Sequence, residues 1–211
     1  MGKTAAQRAA KHGLNAGQPR GGSPAAGTAP GPAPKSSPGL VVIAGVVTTL
    51  FLFWYLHLLV LGQLTQLADG LAMPDSMVFG YGEDHLAALR GAMDSDALGQ
   101  LSYVHKTAGT LFPLVFGLTW LLIIGLNTQR RTLRWVLFSA PILFVVADLW
   151  ENIAIDTALG AAELTAGDAA LAGALTVARW ILLGLSLVAS VVSVFTRRAG
   201  RPPELVAQDK G

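Results

Sequence analysis

The residues best suited to chemistry lie in an apolar stretch of the second half of the chain, PILFVVADLWENIAID. Asp148, Glu151, Asn152 and Ile155 follow one another at i, i+3, i+4 and i+7, so a helix brings two carboxylates and a carboxamide onto one face. Such a face can bind a ligand, act as a general acid or base, or form ion pairs. Because charges are costly in apolar surroundings, this face is expected to point away from lipid.

A counter-ion for these acids is available in a later apolar stretch. Arg179, in TVARWILLG, is the one basic residue well inside any apolar stretch. At 1.5 Å per residue it falls roughly 10 Å from the outer end of its helix, and Glu151 and Asp148 fall roughly 8 and 13 Å from the outer end of theirs. Since an unpaired buried guanidinium is expensive, we predict that Arg179 pairs with Glu151 or Asp148.

Two histidines extend this polar layer to all four apolar stretches. His57 falls roughly 8 Å from the outer end of its helix, and His105 stands beside Lys106 at the outer start of another. The acids outnumber the deep base, so the surplus carboxylate must be protonated, hydrated, or paired with His57 or His105. Two interpretations remain open. One is a structural ion pair, with Asn152 hydrogen-bonded across a helix interface; the other is a ligand-binding or catalytic pocket.

We expect the layer to line a cavity that opens outward, because water is the least costly partner for the surplus carboxylate. The two histidines lack the close spacing of typical metal ligands. The sequence therefore predicts neither a metal site nor a cofactor.

Four apolar stretches must position these residues. Of the 211 residues, 52% are hydrophobic and 13% are charged, which is too apolar for a soluble domain of this size. Because about 20 apolar residues span the hydrocarbon core of a bilayer, we predict membrane helices at about 39–62, 107–126, 135–157 and 171–195. The predicted fold is all-α, a polytopic four-helix transmembrane bundle over residues 39–197. The absence of cysteine excludes disulfides and thiolate sites.

The sign of the charge differs between the segments that flank the apolar stretches. Basic residues cluster in the N-terminal segment, in the second connection and after the last stretch: Lys3, Arg8, Lys11, Arg20, Lys35, Arg130, Arg131, Arg134, Arg197, Arg198 and Arg201. Acidic residues predominate in the first and third connections: Asp69, Asp75, Glu83, Asp84, Asp94, Asp96, Glu163 and Asp168. The positive-inside rule then predicts that both termini are cytoplasmic. Residues 1–38, rich in Ala, Gly and Pro, are predicted to be a disordered cytoplasmic tail, and residues 198–211 a second cytoplasmic tail.

The first outer connection contains a further helical pattern. Its apolar residues recur at spacings of three and four: Leu86, Leu89, Met93, Ala97 and Leu101. This pattern predicts a short amphipathic helix that lies on the membrane surface or caps the bundle. With GYG at residues 80–82 as a point of flexibility, the segment is expected to act as a lid over the cavity.

These residues together resemble a family of uncharacterised bacterial four-helix integral membrane proteins with an Asp-x-x-Glu-Asn motif in the third transmembrane helix. The resemblance covers most of residues 40–195 and rests on FGYGEDHLAALRGAM, Tyr103, LFPLVFGL, PILFVVADLWENIAI and ARWILLGLSL. Where that family often has an acidic residue before Phe-Pro, this chain has Gly109 and Thr110, and where it often has a lysine before the tryptophan, this chain has Arg179. The resemblance implies a four-helix fold and a counter-ion at Arg179, and it carries no activity with it.

Three functional hypotheses follow. The first is a non-enzymatic membrane protein that binds membrane lipid or a small apolar or anionic ligand, or that forms a homo-oligomer or a larger membrane complex. The second is an intramembrane enzyme acting on a lipid-like substrate, with Asp148 or Glu151 as acid or base and Arg179 binding an anionic headgroup. The third is a proton-coupled small transporter, which four helices without a repeat permit only in an oligomer. The basic pI reflects topology and does not indicate nucleic acid, and the Ala- and Arg-rich composition favours a bacterial plasma membrane.

Overall fold

The computed structural model describes residues 37–199, with side chains up to Arg197. The regular secondary structure of this part of the chain is helical, and it contains no strand. We number its helices α1 (Pro38–Leu67), α2 (Glu83–Ala92), α3 (Ser95–Lys106), α4 (Ala108–Asn127), α5 (Arg131–Gly160) and α6 (Ala166–Ala199); a short 3₁₀ turn covers Pro74–Ser76. The predicted tails at residues 1–38 and 198–211 lie outside the described residues, apart from two positions at each inner edge.

Four helices of the described region are long and apolar enough to cross a membrane, which confirms the predicted all-helical fold with four candidate spans. They are Pro38–Leu67, Ser95–Asn127, Arg131–Gly160 and Ala166–Arg197. Each is longer than the apolar stretch from which it was predicted, because the polar residues at its ends continue the helix. The second candidate span combines α3 and α4, which meet at Thr107.

Exposed apolar side chains mark the part of the bundle that suits lipid. They run from Leu40 to Leu59 along α1 and from Trp135 to Ile153 along α5. At 1.5 Å per residue each run is roughly 27 to 29 Å long, close to the thickness of a hydrocarbon core. We call this region the lipid-facing band. The edge away from Arg131 lies near Leu59 and Ile153, and in the orientation predicted from the charges it is the outer edge.

The connection between α1 and α4 folds back onto one end of the bundle, and we call residues 68–106 the cap. All five apolar residues of the predicted amphipathic helix are buried there. They occupy two helices rather than one, because the Asp94 carboxylate accepts a hydrogen bond from the Ala97 amide at 2.8 Å and starts α3 as its N-cap. Packed against Leu61, Leu64 and Ile155, the cap covers the bundle instead of lying on the membrane surface.

Two apolar cores therefore follow each other along the bundle axis. The inner core contains Leu52, Phe112, Phe116 and Phe144, and the rings of Phe112 and Phe144 meet edge to face at 6.1 Å. The outer core joins the cap to the ends of α1, α5 and α6. Asp148, Glu151 and Asn152 on α5 and Arg179 on α6 lie between these two cores.

Candidate functional site

Arg179 on α6 is the centre of the polar cluster. Its guanidinium Nη1 lies 2.8 Å from Asp148 Oδ1, and its Nε contacts the Glu151 carboxylate. Both acids come from α5, one helical turn apart, so one planar guanidinium can reach both. The ion pair expected between Arg179 and the α5 carboxylates is present, with both acids rather than one.

The cap supplies a third contact to Arg179. The main-chain carbonyl of Asp75 accepts a hydrogen bond from the guanidinium and another from Trp180 Nε1, the latter at 3.2 Å. Pro74 begins the short 3₁₀ turn that carries Asp75, and both residues are buried. From the sequence, Asp75 is only one of several acids in the first connection, and its place in the site was not predicted. Its single signal was a Pro-Asp turn inside an otherwise apolar run, LAMPDSMVFG.

The side chain of Asp75 begins a second chain of contacts. His105 Nε2 lies 3.3 Å from Asp75 Oδ2, and His105 Nδ1 lies 2.6 Å from Asp156 Oδ1. Ser102 donates a hydrogen bond of 2.9 Å to the other oxygen of Asp156. His105 thus bridges two carboxylates, neither of which belongs to the predicted pair. Asp156 was missed, although it lies four residues after Asn152 and eight after Asp148 on the same helical face.

Glu151 has a further partner on α6. The Thr176 hydroxyl donates to Glu151 Oε1 at 2.5 Å, and its oxygen lies 3.4 Å from the Tyr81 hydroxyl oxygen. Tyr81 belongs to the GYG segment of the cap, whose main chain packs closely against Gly173. The cap therefore reaches the cluster at two points, Asp75 and Tyr81.

Asn152 connects α5 to α4. Its side-chain amide donates a 3.1 Å hydrogen bond to the Gly109 carbonyl. A Cβ atom at position 109 would lie 3.2 Å from Asn152 Nδ2, so glycine keeps the two helices close at this point. The cross-helix hydrogen bond expected of Asn152 is present.

His57 lies outside the ionic network. Its ring stacks on Phe53 at 4.5 Å and meets the edges of Phe112 and Trp180. Its Nδ1 is buried without a hydrogen-bond partner among the described residues. The suggestion that His57 pairs with a surplus carboxylate is therefore wrong. The cause is the local backbone of α1, which widens to a π-helix over Trp54–Val60. In this conformation the His57 ring lies in an aromatic pocket.

The expectation of an outward-opening cavity at the ion pair is also wrong. Asp148, Glu151 and Arg179 are 2%, 0% and 3% exposed, because the Asp75 turn of the cap fills the space above them. Open space lies beside it, in a cleft of about 250 Å³ lined by residues that include His105, Asn152 and Asp156. The ion pair itself is a packed core.

Acidic side chains outnumber basic side chains within the site. Four carboxylates (Asp75, Asp148, Glu151 and Asp156) face one guanidinium and the His105 imidazole. Burial by itself would raise the pKa of Asp75, but the charge and hydrogen bond of His105, with the charge of Arg179, hold it well below its ordinary value. Burial raises the pKa of Tyr81 well above its ordinary value, so its hydroxyl stays protonated. Within residues 37–199, no group of three or more His, Asp or Glu side chains is arranged to hold a metal ion.

Comparison of the chain with protein-family models, with curated proteins and with solved structures gives no match. The class of protein is therefore assigned from the fold and the candidate site. The described part of the chain is all-helical and has four helices apolar enough to cross a membrane, as in a multi-pass membrane protein. It contains a buried ionic cluster shared between the bundle and the folded cap.

Proposed function

We propose that this is a non-enzymatic integral membrane protein that acts by binding. We further propose that the cluster of Asp75, Asp148, Glu151 and Arg179 is structural, and we call it the latch. The observation that carries this proposal is the environment of Arg179. Its guanidinium contacts two α5 carboxylates and a cap carbonyl, and the side chain is closed to solvent. An anionic ligand would have to displace partners that are already in place.

The latch connects three segments that are distant in sequence. Arg179 and Asp75 are separated by 104 residues, and Arg179 and Asp148 by 31. A buried ion pair contributes little net stability but is costly to break, because the remaining charge has no partner. Such a cluster favours one arrangement of cap and bundle over sliding alternatives, and a lipid or a partner protein would meet the surface that this arrangement creates.

The enzymatic alternative requires the cap to move. Asp148 and Glu151 are the acid and base of that hypothesis, yet both are held by Arg179 beneath the cap. A general acid or base must come within hydrogen-bond reach of its substrate. The proton-coupled transporter alternative requires an oligomer in addition, since one chain contributes four spans.

We also propose an orientation of the protein in the membrane and a cellular location. Basic residues at Arg130, Arg131 and Arg134 border one end of the bundle, while the cap at the other end is rich in acids. These charges favour an N-in and C-in arrangement with the cap outside. A bacterial plasma membrane is the proposed location.

Replacement of one carboxylate tests whether the protein acts by binding or by catalysis. We expect Asp148→Asn to lower the unfolding temperature of the detergent-solubilised protein, and to leave the lipid extract of expressing cells unchanged by untargeted mass spectrometry. A well-folded Asp148→Asn protein that no longer generates a lipid product made by the wild type would overturn the proposal. Ser95→Asn, at an exposed position of the cap, is the control for expression.

A further inference from the structure

A groove opens on the side of the bundle, where α1 passes the junction of α3 and α4. Its volume is about 590 Å³, within the range of small-molecule sites. The lining residues that matter most are Leu52, Tyr55, Tyr103, Lys106, Thr107 and Leu114. The groove is separate from the ion pair, since none of the latch residues lines it.

Polar and apolar residues occupy different ends of this groove. Leu52 and Leu114 lie towards the middle of their spans, while Tyr103, Lys106 and Thr107 lie at the α3–α4 junction. Tyr55 lies four residues before Leu59, and Leu59 marks the outer edge of the lipid-facing band. An amphiphile lying along the groove would therefore have its chain at bilayer depth and its headgroup at the interface.

The charge at the mouth decides which headgroup fits. Lys106 is exposed and forms no ion pair within the part of the chain that the structure describes. Asp156, which lines a neighbouring cleft together with Lys106, is already held by His105 and Ser102. A lysine at the surface attracts an anionic lipid with about 1 kcal/mol, and the hydroxyl of Tyr103 in the same groove can donate a hydrogen bond to a phosphate oxygen.

We propose that this groove binds one anionic glycerophospholipid from the leaflet next to the cap, with its phosphate at Lys106 and an acyl chain along Leu52 and Leu114. This inference rests on the proposed function as a binding protein and names its ligand class. The surrounding cap is acidic at Asp94 and Asp96. Any preference for anionic lipid should therefore depend on Lys106 and not on overall charge.

Native mass spectrometry of the full chain tests the headgroup. The protein is released from nanodiscs that contain equal amounts of phosphatidylglycerol and phosphatidylcholine. We expect the wild type to retain phosphatidylglycerol preferentially, and Lys106→Gln to reduce that preference about fivefold, the equivalent of one lysine charge. Arg131→Gln, which removes a positive charge at the opposite end of the bundle, should retain the preference. An unchanged preference in Lys106→Gln would overturn the headgroup assignment.

A second variant tests the acyl chain. Leu111→Trp places a larger apolar side chain on the wall of the groove, at an exposed position, so it should reduce retention of both lipids without changing their ratio. Equal retention of lipid by Leu111→Trp and wild type would overturn the groove as the binding site. Unfolding temperatures of both variants should equal that of the wild type, because Lys106 and Leu111 are exposed and neither belongs to the latch. A lipid product formed during the incubation would instead overturn the proposed non-enzymatic function and leave the groove assignment intact.

Discussion

Arg179 shows how one side chain can determine the arrangement of three segments. Its guanidinium has donors in a rigid plane, and these reach Asp148, Glu151 and the Asp75 carbonyl together. A lysine would present its three donors from one nitrogen atom and lacks the planar fork that spans these partners. The residue therefore acts through geometry as well as through charge.

Removal of the guanidinium should be strongly destabilising. Arg179→Met leaves two buried carboxylates without a counter-ion, so we expect the free energy of unfolding to fall by about 3 to 5 kcal/mol. Equilibrium unfolding in mixed micelles measures this. Arg131→Met, at an exposed position, should change it by less than about 0.5 kcal/mol. Equal stability of the two variants would show that the latch is not structural.

The Asp148–Arg179 pair should account for only part of that loss. In a double-mutant cycle with Asp148→Asn and Arg179→Met we expect a coupling energy of about 1 kcal/mol, because desolvation offsets much of the Coulomb attraction. The contacts of Arg179 with Glu151 and Asp75 are lost in both arms that contain the methionine. A coupling energy near zero would contradict a direct interaction.

Asp75 should make the stability of the cap depend on pH. Its pKa is lower in the folded protein than its ordinary value of about 3.9, since His105 and Arg179 favour the charged form over the effect of burial. The carboxylate therefore contributes its full stabilisation at pH values above its ordinary pKa. This contribution is lost as the pH falls from there towards the lower pKa that Asp75 has in the folded protein. We expect Asp75→Asn to be less stable than the wild type by about 2 kcal/mol at pH 7. The difference should shrink below about pH 4, and a constant difference between pH 7 and pH 3 would refute this assignment.

At the level of elements, the close contact between the cap and α6 depends on one glycine. A Cβ atom at Gly173 would lie 2.5 Å from the Tyr81 carbonyl oxygen, so any side chain there must displace the cap backbone. Gly80, in the same contact, has a φ of +79°. The GYG segment, expected from the sequence to be a point of movement, is instead a packed contact in this arrangement.

Alanine substitution within α6 tests this contact. Gly173→Ala should lower the unfolding temperature and increase protease cleavage in the cap, because the new methyl group cannot fit beside Tyr81. Gly184→Ala is a matched control in the same helix, where a Cβ meets nothing within 4 Å. That control should be neutral or stabilising by up to about 1 kcal/mol, since alanine favours helix over glycine. The same response in both variants would exclude a specific Gly173 contact.

For the whole molecule, the cap and the lipid-facing band imply a defined membrane position. The band is roughly 27 to 29 Å long, which fits one hydrocarbon core with the cap beyond it. In the orientation proposed above, the cap lies outside. The latch then lies at the outer edge of the hydrocarbon, where buried charges cost less than at the bilayer centre.

Single cysteines test the orientation directly, since the natural chain contains none. Ser95→Cys in the cap and Gln129→Cys in the connection between α4 and α5 are both at exposed positions. A membrane-impermeant thiol reagent added to intact cells should label Ser95→Cys, and should label Gln129→Cys only after the cells are broken. A periplasm-active reporter fused after Lys210 should likewise be silent. Labelling of Gln129→Cys in intact cells would reverse the proposed topology.

The sequence by itself determined the membrane class, the four long helices and the shared face of Asp148, Glu151 and Asn152. Hydropathy and helical periodicity are local properties, and a buried Arg179 needs an acid at matching depth, so these features follow without knowledge of the packing. Only the tertiary structure decided that Asp75 joins the latch, that His105 bridges Asp75 and Asp156, and that the cluster is closed. Each of these depends on where the cap docks. That position is set by the burial of its apolar face and by contacts as distant as the 104 residues between Asp75 and Arg179.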